Sequence, residues 1–354
     1  MFTSDNWSGA HPRVSEALSR HAEGFAAAYG TSDLDRRVET RFDELFGREV
    51  SVWFVATGTA ANALAMAAVN RPGGVAFCHR EAHVIEDECG AVEHATHGSR
   101  LNPVDGALGK IDPALLDAEM GRLQPPRVHA GQPMAVSITQ GTEVGTHYST
   151  GEVRAIAEIA KAHGVPLHMD GARFANALVA EGVDAADMTW RPGVDVVSFG
   201  GTKNGCWCAE ALVFLDPAMA EHMGFIRKRS AQLFSKTRFV AAQFEAYLAD
   251  GLWLDCARHA NAMAARLSGA LVDGGARLAW AGTTNEVFAY LTDAQSSALA
   301  RAGLHHAGWT MPRHAPTRPE PGEALKRFVT SFATTDEAID RVAGTLHRSA
   351  RAAA

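Results

Sequence analysis

Apolar residues along the first two-thirds of the chain alternate between two periods. Leu34, Val38, Phe42 and Leu45 recur at helical spacing through residues 34–46, and Gly47 ends the pattern, so this stretch reads as a helix. VSVWFVA (50–56) is a continuous apolar run and reads as a strand; TGTAANALAMAAVN follows as a turn opening an Ala-rich helix. VAFCHREAHVIEDECGA repeats the sequence of strand, turn and helix. MAVSIT (134–139) is another strand, and STGEVRAIAEIAKAHG is an amphipathic helix capped by Ser149 or Thr150 and stopped by Gly164. VPLHMD (165–170), VDVVSFG (194–200) and ALVFLD (211–216) are strands, the last closing before Pro217. Strands alternating with helices of about ten to fifteen residues require crossover connections, and hence a mostly parallel α/β sheet.

After about residue 250 the pattern changes. A long helix (252–272) leads to three strand-like stretches, RLAWAG, EVFAYLT and KRFVTSF, with a helix (293–303) among them. The last helix opens on a capping box from Thr334 to Glu337, and the Pro-rich loop 312–324 is expected on the surface. The chain therefore divides into an N-terminal segment with a large domain (1–250) and a smaller C-terminal α+β domain (251–354). A length of 354 residues agrees with that count, at roughly 150 residues per domain.

Composition narrows the function classes. An apolar fraction of 47% is that of a globular protein, and 33 basic against 40 acidic residues give a formal charge of −7. An acidic balance argues against nucleic acid or an anionic membrane as partner. No apolar run approaches the roughly eighteen residues of a spanning helix, and MFTSDNWSGAHPR lacks the shape of a signal peptide. Five scattered cysteines fit a reducing compartment, so a cytoplasmic location is expected. Cys206 and Cys208 have no second pair at zinc spacing, and His79 and His83 with Glu81 do not follow the zinc-protease order, so no metal site is expected. His168, within a strand, reads as a satisfied core histidine.

In an open α/β sheet, ligands sit beyond the carboxyl ends of the strands. Thr57-Gly58-Thr59 follows one strand and opens a helix, where free backbone N–H groups suit a phosphate, or where Thr57 is an ordinary cap. Asp170-Gly171-Ala172-Arg173 follows another. The two charges there either pair with each other, or Asp170 faces a cationic group while Arg173 grips a carboxylate. Gly201-Thr202-Lys203-Asn204-Gly205 follows a third, in an order that is not a P-loop. A lysine in such a partly desolvated turn can form a Schiff base. A phosphate cradle, an acid facing a cation and an imine-forming lysine are together what pyridoxal phosphate requires. No G-x-G-x-x-G opens a helix, which disfavours nicotinamide and flavin cofactors.

The segments FTSDN, FVATGTAANALAM, EAHVIEDECGA, ITQGTEVGTHYS, HMDGARFANAL and VDVVSFGGTKNG resemble the L-threonine aldolase family of low-specificity type, from about residue 3 to 240 and again at RFVTSF. That family has the aspartate-aminotransferase fold of pyridoxal phosphate enzymes, so the resemblance implies a seven-stranded, mostly parallel sheet flanked by helices, and the small domain. By the same resemblance Lys203 holds the cofactor aldehyde, Asp170 partners the pyridine nitrogen, Gly58 and Thr59 form the phosphate turn, and Thr202 borders the cofactor. His83 stacks on the ring; Ser4, Arg173 and Arg327 bind the substrate carboxylate; Arg173 also borders the cofactor. Tyr29 lines the site, and Arg238 reaches the phosphate of a neighbouring subunit. One branch of the family has a histidine where this chain has Glu143, so either His83 or a water held near Glu143 takes the β-hydroxyl proton. The implied reaction is retro-aldol cleavage of L-threonine, L-allo-threonine and related β-hydroxy-α-amino acids to glycine and an aldehyde. The alternatives on the same cofactor are β-elimination, transaldol chemistry and transamination. The expected partners are the amino-acid substrate and further copies of the chain, in a dimer of dimers with the active site at the subunit interface.

Overall fold

The computed structural model describes residues 1–123 and 128–353. The large sheet is built from β1 (Ser51–Val55), β2 (Gly74–His79), β3 (Arg100–Val104), β4 (Gln132–Thr139), β5 (Leu167–Gly171), β6 (Val196–Gly200) and β7 (Glu210–Phe214). These seven strands lie in the order β1-β7-β6-β5-β4-β2-β3. Only β7 runs against its neighbours, β1 and β6; the remaining pairs are parallel. Every residue of β2, β5, β6 and β7 is buried, which is why these strands read as unbroken apolar runs rather than alternating ones. Helix Asp33–Phe46 packs onto this core through Phe42, which meets Phe199 and Phe244 edge-on with ring centroids 5.1 and 5.4 Å away.

A second sheet joins β8 (Arg277–Leu278), β9 (Glu286–Thr292), β10 (Ala307–Gly308) and β11 (Glu323–Val329), in the order β10-β11-β9-β8 and wholly antiparallel. Helix Leu252–Asp273 spans both bodies: Trp253 and Ala257 belong to the large core, whereas Met263, Leu267 and Leu271 join the small one. The N-terminus crosses in the same way. Phe2 is fully buried in the small core, its N–H donating to His305 O and its carbonyl accepting from Val329 N, both at 2.8 Å.

Local details differ from the sequence reading. The helix expected after β2 is two short ones, His83–Glu86 and Ala91–Ala95, broken at Gly90 in the left-handed region (φ 75°). β3 carries Pro103 and pairs with β2 alone, an edge position that tolerates proline. RLAWAG contributes only two residues to the sheet, because β8 pairs just Arg277 and Leu278 with β9. The last helix begins one residue later than its expected cap: Thr335 accepts from Ala338 N, while Thr334 Oγ1 accepts from Ser331 N at 2.9 Å. The Pro-rich loop is largely exposed, but Pro312 is buried and Arg313 N–H donates to Glu81 Oε1 at 2.6 Å.

Candidate active site

The carboxyl ends of β4, β5 and β6 and the start of helix Gly58–Ala68 enclose a cavity of ≈ 320 Å³. Gly58, Thr59, His83, Glu143, Asp170, Arg173, Thr202 and Lys203 line it; Ser4, Tyr29, Arg238 and Arg327 do not. At the helix start Thr57 Oγ1 accepts from Ala60 N at 3.1 Å, so Gly58 and Thr59 occupy the first turn, where backbone N–H groups lack helical acceptors. A methyl group built on Gly58 would meet nothing within 4 Å, so the space before this helix end is open. Free N–H groups and the positive end of the helix dipole make it an anion cradle.

Lys203 stands in a single turn of 3-10 helix, Thr202–Asn204, immediately after β6. The turn is pinned on both sides. Thr202 Oγ1 accepts from Ala209 N at 3.2 Å, and Asn204 Nδ2 donates to Tyr247 Oη at 2.7 Å and Trp253 O at 2.8 Å. Gly200 and Gly201 are fixed by space: a Cβ at Gly200 would lie 2.8 Å from Ala172 Cα, and one at Gly201 2.8 Å from Ala209 O. Glu210, at the start of β7, accepts from Thr202 N at 3.3 Å, and burial pushes its carboxyl up to about 7.

Asp170 ends in a buried relay. Asn62 Nδ2 donates to both Asp170 Oδ2 and Glu88 Oε1, each at 2.8 Å, and the same Glu88 oxygen lies 2.9 Å from His83 Nδ1. Asp170 Oδ1 accepts from Ala172 N at 3.0 Å. The hydrogen bond to Glu88 raises the His83 pKa above the usual imidazole value, against the opposing effect of burial. His83 also donates its backbone N–H to Glu143 Oε1 at 2.8 Å, while Glu143 Oε2 is buried without a partner. Burial raises the Glu143 carboxyl to about 7, so it can give or take a proton near neutrality.

Arg173 is not paired with Asp170. Asp5 grips it with two oxygens, Nε to Oδ2 at 2.8 Å and Nη2 to Oδ1 at 3.1 Å, and Glu286 Oε1 lies 3.3 Å from Nη2. Asp5 also accepts from Asn285 Nδ2 at 3.1 Å. Burial opposes the Asp5 charge, but Arg173 and then Lys203 outweigh it and hold the carboxyl below its ordinary range. Arg327 lies 3.4 Å from the same Glu286 oxygen, and its guanidinium sits 4.1 Å above the Trp309 ring. Ser4 Oγ accepts from Asn6 N at 3.2 Å, capping the turn that carries Asp5, and Asn6 rather than Ser4 reaches the cavity. Tyr29 is half exposed with Lys228 over its ring, and Arg238 donates to Gly24 O at 3.2 Å.

His168 is a core residue between Ser137 Oγ and Ser198 Oγ, each 2.9 Å away, and burial lowers its pKa to about 4, leaving it neutral. Sequence reasoning passed over Asn62, Glu88, Glu210, Asp5 and Glu286. Asn62 alone left a signal, as the one amide among small apolar residues in an Ala-rich helix that buries it.

The cavity residues suit the cofactor expected from the sequence: an anion cradle with open space before it, a buried carboxylate held by hydrogen bonds and a lysine on a fixed turn. Comparison with known proteins points the same way. The model of the beta-eliminating lyase family matches residues 2–294. A low specificity L-threonine aldolase of Pseudomonas aeruginosa is 38% identical over 345 residues, 97% of this chain and 96% of that protein. The structure of Leishmania major threonine aldolase superposes with a TM-score of 0.88 at 27% identity, over 100% of this chain and 99% of that one. A structure of SPT with PLP as its internal aldimine shares the fold, with a TM-score of 0.70 at 19% identity over 99% and 87% of the two chains.

Proposed function

This chain belongs to the beta-eliminating lyase family, and from that premise we propose that it is a pyridoxal-phosphate-dependent aldolase that cleaves L-threonine, L-allo-threonine and related β-hydroxy-α-amino acids to glycine and an aldehyde. The observation that carries the proposal is that Lys203, Asp170 and the N–H groups at Gly58 and Thr59 line one cavity. When bound, pyridoxal phosphate supplies an electron sink for the pair left at Cα as the Cα–Cβ bond breaks. Lys203 would hold its aldehyde carbon, Gly58, Thr59 and Thr202 its phosphate, and Asp170 its ring nitrogen. His83 would lie on the ring, oriented by Glu88.

Among the described residues Arg173 carries the one guanidinium that lines the cavity, and it binds the substrate carboxylate. Fixing that carboxylate chooses which bond at Cα stands across the ring. Glu143, ionised, accepts the β-hydroxyl proton, and its unpaired Oε2 is the atom free to do so. The buried walls keep bulk water from the developing negative charge.

Two further readings belong to the proposal. The chain works as a homo-oligomer, a dimer of dimers with the site shared between copies. Exposed Phe25, Trp207 and Phe225 support this, as does the position of Tyr29 and Arg238 away from this chain's own cavity. It resides in the cytoplasm, where its five free thiols stay reduced. Among the described residues no helix is long and apolar enough to cross a membrane.

The test is release of aldehyde and glycine from L-threonine, L-allo-threonine and L-phenylserine with added pyridoxal phosphate. Equimolar products are expected. A keto acid with ammonia, or transfer of the amino group, would move the reaction to β-elimination or transamination and overturn the aldolase reading.

A further inference from the structure

Glu286 opens β9, fully buried, and its Oε1 lies between two guanidinium groups, 3.3 Å from Arg173 Nη2 and 3.4 Å from Arg327 Nη1. Both separations are long for a charge-assisted contact, which closes to about 2.7–2.9 Å when well formed. The cluster also carries spare hydrogen-bonding capacity: Glu286 Oε2 and Arg327 Nε are buried without a partner. With Asp5 bound to Arg173, two guanidinium groups face two carboxylates, and the local charge sums to zero before any substrate arrives.

We propose that Glu286 is a specificity-determining residue, a built-in carboxylate that stands in for the substrate's own and weakens its capture at Arg173. The proposal rests on the reading that Arg173 binds the substrate carboxylate. A carboxylate entering a site of net charge zero gains less than one entering a site of charge +1, because Glu286 repels it through buried, poorly screened surroundings. Asp5 already takes Arg173 Nε and shares Nη2 with Glu286, so a substrate carboxylate that approaches Nη2 meets both negative charges. The loose, half-satisfied geometry of Glu286 is that of a group that yields when a better-placed carboxylate binds. The consequence is a high KM for simple amino acids. Substrates that add a second negative charge are disfavoured further.

The test compares wild-type holoenzyme with Glu286→Gln, nearly isosteric and uncharged, in L-threonine cleavage and in inhibition by propionate, a carboxylate with no amino group. KM and the propionate inhibition constant are each expected to fall about tenfold, with the gain carried by KM rather than kcat, since only the charge opposing the carboxylate has changed. An unchanged or raised KM, or propionate inhibition equal in both proteins, would overturn the proposal. If the glutamine variant does not fold, Glu286→Met carries the same expectation. A wild-type protein that binds pyridoxal phosphate but releases no aldehyde fails the aldolase reading; its propionate affinity against that of Glu286→Gln still decides the role of Glu286.

Discussion

At the residue scale, Glu143 is the group whose chemistry follows most directly from its surroundings. Its carboxyl is lifted to about 7 by burial, and one oxygen is held by the His83 N–H while the other is free. If it accepts the β-hydroxyl proton it must be ionised, so kcat/KM is expected to rise with pH through an apparent pKa near 7. Glu143→Gln should lower turnover and remove that limb; a pH–rate profile unchanged in shape would assign the limb to His83 instead. Stability moves the other way. An unfolded glutamate loses its proton near 4.5, whereas folded Glu143 keeps it to about 7, so the folded state binds more protons across that interval and stability falls as pH rises through it. Thermal unfolding measured between pH 5 and 8 should show a shallower fall in Glu143→Gln than in wild type. Glu210, lifted to about 7, and Glu39, lifted to about 6, both by burial, add slope of the same sign.

At the element scale, the strands were legible because β2, β5, β6 and β7 are buried throughout and therefore written as apolar runs. That residues directly after the strands would meet at one cavity was legible for the same topological reason. The partners that tune them were not, since they meet only when distant segments fold together: Asn62 reaches Asp170 across 108 positions, and Asp5 reaches Asn285 across 280. Asn62 donates to two buried carboxylates at once, so Asn62→Ala strips a donor from both. Leaving them short should cost about 2–4 kcal/mol in denaturant unfolding. A loss below about 0.5 kcal/mol would mean that water replaces the amide. The glycines before Lys203 make the second element-scale case. A Cβ at Gly200 would lie 2.8 Å from both Ala172 Cα and Ala172 O, main-chain atoms that no rotamer can move. Gly200→Ala should therefore shift the end of β6, costing about 1–3 kcal/mol and lowering kcat/KM on the order of ten- to a hundredfold through misplaced Lys203. Gly121→Ala, where nothing lies within 4 Å, should leave both unchanged.

At the scale of the whole molecule, the N-terminal segment and helix Leu252–Asp273 tie the two bodies together, and the segment adds Asn6 to the cavity wall on the large one. Phe2 anchors the segment in the small core, and three residues on, Asp5 closes on Arg173. What this single chain leaves unexplained is Arg238, a basic residue that touches Gly24 O and the ring of Phe239 rather than the cavity. If it serves the phosphate of a second copy, each site takes Lys203 from one subunit and Arg238 from the other. Lys203→Ala and Arg238→Ala subunits are then complementary. In a mixed pair, one site carries both lesions and is dead, while the other draws intact Lys203 and intact Arg238 from opposite subunits and is whole. Random exchange makes half of the pairs mixed, with one whole site in two, so the mixture should regain about one-quarter of wild-type activity. Activity no higher than the mean of the two parents would place Arg238 in its own chain's structure alone, and the shared site would have to be sought at Tyr29 and the exposed Phe25 beside it in sequence.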